Sequence, residues 1–299
     1  MTGNTTRKAF IYATLAVLCW STSPTAFKLG LRYQDPYQLL TGATLASTLA
    51  LGLIITFRGN LRQLKTFGLK DLGFSAVMGL LNPVAYYLIL FKAYTILPAQ
   101  VAQPLNMVWP LVLVLISIPL LRQKIGWKSI GAMAISFAGV ILISSQGGVG
   151  GKEPDNRLGV FLALSTSVLW AIYFIYNTRD QKDAVIRLFL NFIFASIYLL
   201  LGGLLKEQAL PGTPEAWIAA IYVGVFEMGV TFVLWLLAMQ YAPTTDRISN
   251  LVYVAPFLNL IIVRLVLNEN IYLTTIYGIM LLVTGIVIQN ARGWHARIK

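Results

Sequence analysis

Runs of about twenty apolar residues, separated by short polar or basic segments, recur along this whole chain, and a helix of that length spans the hydrocarbon core of a bilayer. Ten runs are read, over residues 8–30, 36–57, 71–93, 99–121, 127–145, 157–178, 185–206, 216–241, 246–268 and 272–290. The pattern predicts an all-α polytopic membrane protein. Little chain remains between the runs, too little for a soluble catalytic or nucleotide-binding domain.

The pattern also repeats. Leu18-Cys19-Trp20 aligns with Val168-Leu169-Trp170 at an offset of 150, and Gly79 to Pro98 with Gly224 to Pro243 at 145. From Pro110 the offset is 146, pairing Pro110 with Pro256, Ile125 with Ile271 and Gly139-Val140-Ile141 with Gly285-Ile286-Val287. Five spans per copy is an odd number, so the second copy is expected upside down relative to the first. The predicted architecture is two inverted five-helix repeats, residues 1–146 and 157–299, the arrangement of many secondary transporters. The stretch 147–156 between them is glycine-rich and charged and reads as a flexible connecting loop.

Composition agrees. The chain of 299 residues is 57% hydrophobic and 11% charged, with a mean hydropathy of +0.72; soluble domains carry roughly 25% charged residues. The net charge of +12 raises the question of nucleic acid, and its distribution answers it. With a cytoplasmic N-terminus, 16 of the 23 cations fall inside, including Arg58, Arg62, Lys65, Lys70, Arg179, Lys182 and Arg187. That bias follows the positive-inside rule, with both termini cytoplasmic in a bacterial inner membrane. The first span has no small-x-small cleavage site of a signal peptide. Cys19 is the single cysteine and His295, in the basic tail, the single histidine. Disulfides within the chain and thiol or histidine metal clusters are therefore not expected, and no cofactor is. Neither GxxxxGK[ST] nor HExxH occurs. A Ser21 or Ser23 dyad with Lys28 is the remaining enzymatic arrangement, and no other hydrolase feature accompanies it.

Polar groups at mid-membrane depth usually face a cavity or a partner. Glu227 is the sharpest instance; it shares a helical face with Thr231 and Trp235, and its repeat mate is Asn82, which shares a face with Tyr86. Glu227 reads either as a group that engages substrate or proton or as a protonated acid satisfying a neighbouring helix. Trp20, Trp109, Trp170 and Trp235 lie deeper than the interfacial belt where Trp127, Trp217 and Trp294 fall. Trp170, Tyr173 and Asn177 share one face, and so do Gln103, Asn106 and Trp109; Tyr253 lies between Asn250 and Phe257 on the ninth span. Taken singly, such residues are packing. Together with Ser23, they suit the wall of a site for a small amphipathic solute. Lys28 either meets a substrate carboxylate or ends its helix, and Arg264 snorkels. Pro24, Pro104, Pro110 and Pro256, read as lying within spans, each free a carbonyl four residues back and are candidate gating hinges. Gly42, Ala46 and Ala50 form a small-residue packing stripe on the second span.

Trp20…Pro24…Lys28, Leu97-Pro98-Ala99, Pro110, Ala242-Pro243, Pro256 and Asn268-Glu269 give the chain a family likeness. It resembles the drug/metabolite transporter superfamily, in particular its ten-helix EamA-like members. The family often closes its fourth and ninth helices with Gly-Glu; here Arg122-Gln123 stands at the first place and only Glu269 remains at the second. The resemblance implies a secondary transporter working by alternating access, closest to exporters of aromatic and other neutral amino acids, functional as a monomer among membrane lipids. The alternatives are a drug or nucleotide-sugar carrier, an ion channel or an intramembrane enzyme. Phosphate-bearing substrates would want basic groups at mid-depth, which are scarce, and a channel would show a filter motif.

Overall fold

The computed structural model describes residues 3–121, 127–146, 156–178, 180–205, 209–241 and 250–290, and among these it is helical with no strand. The chain forms α1 (Gly3–Gly30), α2 (Pro36–Phe57), α3 (Leu69–Ile96), α4 (Ala99–Asn106), α5 (Trp109–Leu121), α6 (Trp127–Ser144), α7 (Arg157–Thr178), α8 (Ala184–Gly203), α9 (Pro214–Tyr241), α10 (Leu251–Leu267) and α11 (Leu273–Asn290). Six of them, α1, α2, α3, α7, α8 and α9, are long and apolar enough to cross a bilayer, and α6, α10 and α11 are shorter apolar helices among the described residues. Large apolar side chains such as Leu49, Phe57, Ile141, Phe161 and Leu265 point outward, as they do where the surrounding medium is lipid. The connecting loop between the expected repeats, Arg122-Gln123, Ala242-Pro243 and the tail with Trp294 and His295 lie outside the described residues.

Local chemistry sets the helix starts. Asp35 accepts from the Tyr37 and Gln38 amides while Gln38 reaches back to the Asp35 amide, a capping box with Pro36 in the first turn. Asp183 accepts from Val185 and Ile186 at the head of α8, and Thr213 caps α9 ahead of Pro214.

The expected fourth span is two helices. Hydrogen bonding tightens after Asn106, and α5 starts at Trp109. Pro110 thus occupies a first turn, where a missing N–H has no helical partner to lose, instead of the helix interior the sequence predicted. Pro256 is likewise in a first turn, that of the segment Ala255–Ile262, after a tight turn over Asn250–Val254. Only Pro24 and Pro104 of the four hinge candidates sit inside a regular helix. Two long helices are also irregular. α3 is kinked within Leu80–Ala85, where the turn is widened around Asn82, whose backbone is extended at φ −145° and ψ 117° because Pro83 disfavours helical geometry in its predecessor. α9 has the same widening over Val223–Gly229, around Glu227.

Packing pairs the helices across the two halves. α1 lies on α9 and α10, and α7 on α3, α4 and α5; α2 lies on α8 and α9, α8 on α2 and α3, and α6 on α11. Glycine makes the closest of these approaches possible. A Cβ at Gly79 would collide with the Asn191 carbonyl of α8, and one at Gly224 with the Ala43 carbonyl of α2. Ala46 also meets Gly224, so the small stripe of α2 is a contact surface. At the α6–α11 crossing, a Cβ on Gly139 would stand 2.5 Å from the Gly278 carbonyl and 2.7 Å from the Leu282 amide. One on Gly285 would stand 2.5 Å from the Ala132 carbonyl and 2.9 Å from the Ser136 amide. As positions advance along α6 their partners recede along α11, so the two helices run antiparallel. Gly139 and Gly285, Ala132 and Gly278, and Ser136 and Leu282 are each 146 positions apart, so the contact is self-complementary.

Gly139→Leu and Gly285→Leu are each expected to lower the melting temperature of the detergent-solubilised protein, at a cost of about 1–3 kcal/mol of overpacking. Gly131→Leu, on the same helix but facing open space, should leave it unchanged. A thermal unfolding series on the three variants checks this.

Candidate functional site

The helix faces converge on a cavity of about 400 Å³, within the size range of small-molecule sites. Each wall follows from helical spacing. Trp20, Ser23 and Phe27 stand on one face of α1, and Trp170, Tyr173 and Asn177 on one face of α7. Gln103 and Asn106 come from the end of α4 and Trp109 from the start of α5, so the break between these helices faces the cavity. Tyr86, Tyr87, Leu90 and Tyr94 line it from α3, Glu227, Phe232 and Trp235 from α9, and Tyr253 from α10.

Eleven of the twelve residues expected at a site are thus brought around one cavity: Trp20, Ser23, Tyr86, Gln103, Asn106, Trp109, Trp170, Tyr173, Glu227, Trp235 and Tyr253. Asn82 is the correction. It is buried but does not line the cavity, because its extended backbone takes it out of the helical register of α3, in a segment packed on α8. Its repeat mate Glu227 remains on the cavity face.

The register of α9 also differs from the expected i, i+4, i+8 face. Thr231 is fully buried, and its hydroxyl donates to the Phe226 carbonyl five residues back. The widened turn brings the fifth residue after Glu227, Phe232, to the wall where regular spacing predicted the fourth. No periodicity in the sequence announces this. Tyr87, Tyr94 and Phe27 were also not anticipated, although Tyr87 directly follows a residue that was.

The polar groups are organised in pairs. The Tyr86 hydroxyl donates to Asn106 Oδ1 at 3.1 Å, and Asn106 Nδ2 donates to Thr166 Oγ1 at 2.8 Å. Tyr94 donates to Gln103 Oε1 at 3.2 Å. Tyr87 donates to Glu227 Oε1 at 3.0 Å. Asn191 Nδ2 donates to the Tyr173 hydroxyl at 3.2 Å, which fixes that ring from behind. The aromatic rings touch in sequence: Trp20 is 5.3 Å from Trp235 and 5.9 Å from Phe232, and Phe232 is 5.6 Å from Trp170. Trp170 is 5.3 Å from Tyr86 and 6.4 Å from Trp109, distances at which ring pairs attract. The hydroxyls of Ser21 and Ser23 return to the Val17 and Cys19 carbonyls of α1, and Lys28 Nζ donates to the Tyr94 carbonyl at 2.8 Å. The lysine is thus committed to tying α1 to α3, not to a serine.

Glu269 also has a structural role. Its carboxylate accepts from the Ala99 amide at 2.9 Å and the Gln100 amide at 3.4 Å, capping the first turn of α4, where negative charge is stabilised. Gln100 fastens the same junction from the other side, donating to the Asn270 carbonyl and accepting from the Tyr272 amide. Arg264 is exposed and donates to Asn270 Oδ1 at 2.8 Å.

At one end of the cavity stands a charge cluster that sequence reading had counted only as topology. Arg187 donates from Nε to Asp180, from Nη1 to the Asp71 carbonyl and Ser75 hydroxyl at 2.7 and 2.8 Å, and from Nη2 to Asp71 Oδ1 at 3.2 Å. The rings of Phe67 and Phe74 lie 5.0 and 4.9 Å from its guanidinium carbon. Lys182 bridges to Asp71 Oδ2 at 3.4 Å and donates to the Thr66 carbonyl. Asp180, Lys182 and Arg187 all line the cavity, so this lattice ties the start of α3 to the start of α8 at the cavity's mouth. Partners 116 positions apart leave no local signal in a sequence.

Among known proteins, the pattern of the EamA-like transporter family matches residues 7–145 and again residues 157–291. The chain is 23% identical to the uncharacterized transporter YvbV of Bacillus subtilis, over 96% of this chain and 92% of that one. It is 25% identical to an uncharacterized transporter of Archaeoglobus fulgidus, over 95% and 98%. It is 24% identical to the aromatic amino acid exporter YddG of Ancylobacter novellus, over 61% of this chain and 64% of that one. A crystal structure of a protein 21% identical shares the fold, with a TM-score of 0.64 over 95% of this chain and 96% of that one.

The side chain of Arg187 is 3% exposed and that of Lys182 35%. Arg187→Met leaves Asp180 without its cation and Asp71 with Lys182 alone, and is expected to destabilise the protein by about 3–5 kcal/mol. Lys182→Met should cost under about 1 kcal/mol, since an exposed pair is screened. Melting temperatures of the two variants, measured side by side, test the ranking.

Proposed function

The chain belongs to the EamA-like transporter family, and from that premise we propose that it exports small amphipathic metabolites, foremost aromatic and other neutral amino acids, by alternating access. The observation that carries the proposal is the single cavity walled by Trp20, Trp109, Trp170, Phe232 and Trp235 with amide and hydroxyl groups between them. An aromatic side chain is taken up by the rings, while Gln103, Asn106 and Tyr86 orient its polar end. The likeness to an aromatic amino acid exporter supports the same substrate class.

In this reading the chain makes ten crossings of a bacterial inner membrane, α4 and α5 together forming the fourth, as two inverted five-helix repeats over 1–146 and 157–299. Two matches to one family pattern support the duplication. The antiparallel, self-complementary contact of α6 with α11 supports the inversion. The matched glycines Gly79 and Gly224, each crossed by a helix backbone, support it again. The N-terminus of α1 faces the cytoplasm, which puts the Arg187 lattice at the cytoplasmic mouth. There it holds α3 to α8 in one state and must part in another. Pro24 and Pro104, which remove backbone bonds within a helix, and the helix junctions that precede Pro110 and Pro256 are the bending points. One copy of the chain contains the whole cavity and acts as a monomer.

Proteoliposomes loaded with a panel of labelled amino acids, sugars and cationic drugs decide the substrate class. Saturable efflux of phenylalanine or tryptophan is expected, and its absence from a folded preparation would overturn the assignment. Trp170→Ala should weaken apparent affinity roughly tenfold, in keeping with about 1.5 kcal/mol of lost aromatic contact, while protein yield stays near wild type. Equal loss of yield and flux would instead make Trp170 a packing residue.

A further inference from the structure

Among the described residues, Glu227 is an acid with no base beside it. Its Oε1 accepts from Tyr87 and the Ser23 hydroxyl, which donates to the Cys19 carbonyl, also stands against the carboxylate, whereas Oε2 is buried and no hydrogen bond of good geometry reaches it among the described residues. A carboxylate oxygen in that condition calls for an explanation, since buried polar atoms are ordinarily paired. The cations that line the cavity do not supply one: Arg187 is held by Asp71 and Asp180, and Lys182 by Asp71. Lys28, bound to the Tyr94 carbonyl, does not line the cavity.

The surroundings point to one kind of charge. Tyr87 lies 4.7 Å from Tyr86, which leads through Trp170 and Phe232 to Trp20, so the acid belongs to a continuous aromatic wall. Ring faces are electron-rich and attract cations. Together with a carboxylate they favour an ammonium and disfavour an anion. Of the neutral polar groups on the wall, Gln103 and Asn106 are engaged by Tyr94 and Tyr86, Asn177 donates to the Tyr173 carbonyl and the Tyr173 hydroxyl accepts from Asn191, so among the described residues no unpaired cation is placed for a solute carboxylate.

We propose that Glu227 is the counter-ion for the ammonium group of the solute, positioned by Tyr87, and that the site therefore selects aromatic primary amines and treats an amino acid's carboxylate as dispensable. The inference rests on the cavity being the solute site and sharpens which solute group is read.

Equilibrium dialysis of the purified full chain with labelled 2-phenylethylamine, displaced by 2-phenylethanol or 3-phenylpropionate, tests it. The three probes share a ring and differ in carrying a positive, neutral or negative end. The amine should bind at least about tenfold more tightly than the acid, as expected for a hydrogen bond between charged groups in a dry site. Glu227→Gln should remove that preference while 2-phenylethanol binds as before, and Tyr87→Phe should reduce it in part. An acid that binds as well as the amine would overturn the proposal. So would no measurable amine binding, or a Glu227→Gln variant that keeps the preference. Should Glu227→Gln fail to fold, the wild-type comparison of amine with acid decides by itself. Amine preference without amino-acid efflux would sink the amino-acid assignment alone; efflux without amine preference would sink this inference alone.

Discussion

In lipid, apolar side chains gain little by leaving their surroundings, so helices hold together where their backbones come close enough for dispersion and polar contact to act. Gly79, Gly139, Gly224 and Gly285 provide that closeness here, each placing a neighbouring backbone where a Cβ would have to stand. The rest of the structure depends on these crossings. They bring α2 against α9, α8 against α3 and α6 against α11, and they leave the larger residues of α1, α3, α7 and α9 to wall the space between. The glycine contacts fix which helices stay paired, so movement around the cavity falls to the bends and junctions between these crossings.

Three of the irregular stretches of backbone lie beside that cavity. Membrane interiors tolerate unpaired backbone groups only where protein or a polar space can satisfy them. The widened turn of α9 lies at Glu227, that of α3 immediately precedes Tyr86 and Tyr87, and the break between α4 and α5 lies between Asn106 and Trp109. Side-chain hydroxyls do part of the satisfying, as Thr231 does for the Phe226 carbonyl. Departure from regular helix thus both creates the polar demand and re-aims the side chains that line the site.

Much of this was legible from spacing. Trp170, Tyr173 and Asn177 could be placed on one wall because α7 is regular, and helix period suffices for a regular helix. The same logic failed at Thr231, where a widened turn moved Phe232 into its place, and at Asn82, where Pro83 drew its predecessor out of the helix. It also placed Pro110 inside a helix when it stands in the first turn of α5, and Pro256 inside a regular helix when it stands where α10 passes from a tight turn into α-helix. The Arg187 lattice was illegible for another reason: its members come from the starts of α3 and α8, far apart in the chain, and charge near a membrane surface is equally consistent with topology alone. Glu269 illustrates the converse. A family likeness flagged it, and the structure gives it the work of capping α4.

The two halves share a scaffold but not a chemistry. Asn82 and Glu227 fall at matched positions of α3 and α9, Asn82 at a kink and Glu227 in a widened helical turn, and both helices are crossed at a matched glycine. Proline then separates their fates. With Pro83 behind it, Asn82 leaves the cavity face and is buried in the segment packed on α8; without a proline, Glu227 stays on the wall and meets Tyr87 from the opposite half. In the proposed duplication these are two equivalent places for a polar group, and the residue after each, proline in one and methionine in the other, separates the buried one from the one that faces the cavity. A transporter needs a single binding point at its centre, and two equal acids facing each other there would repel. On the proposed reading, this difference between the halves leaves one acid on the aromatic wall where a strict repeat would place two.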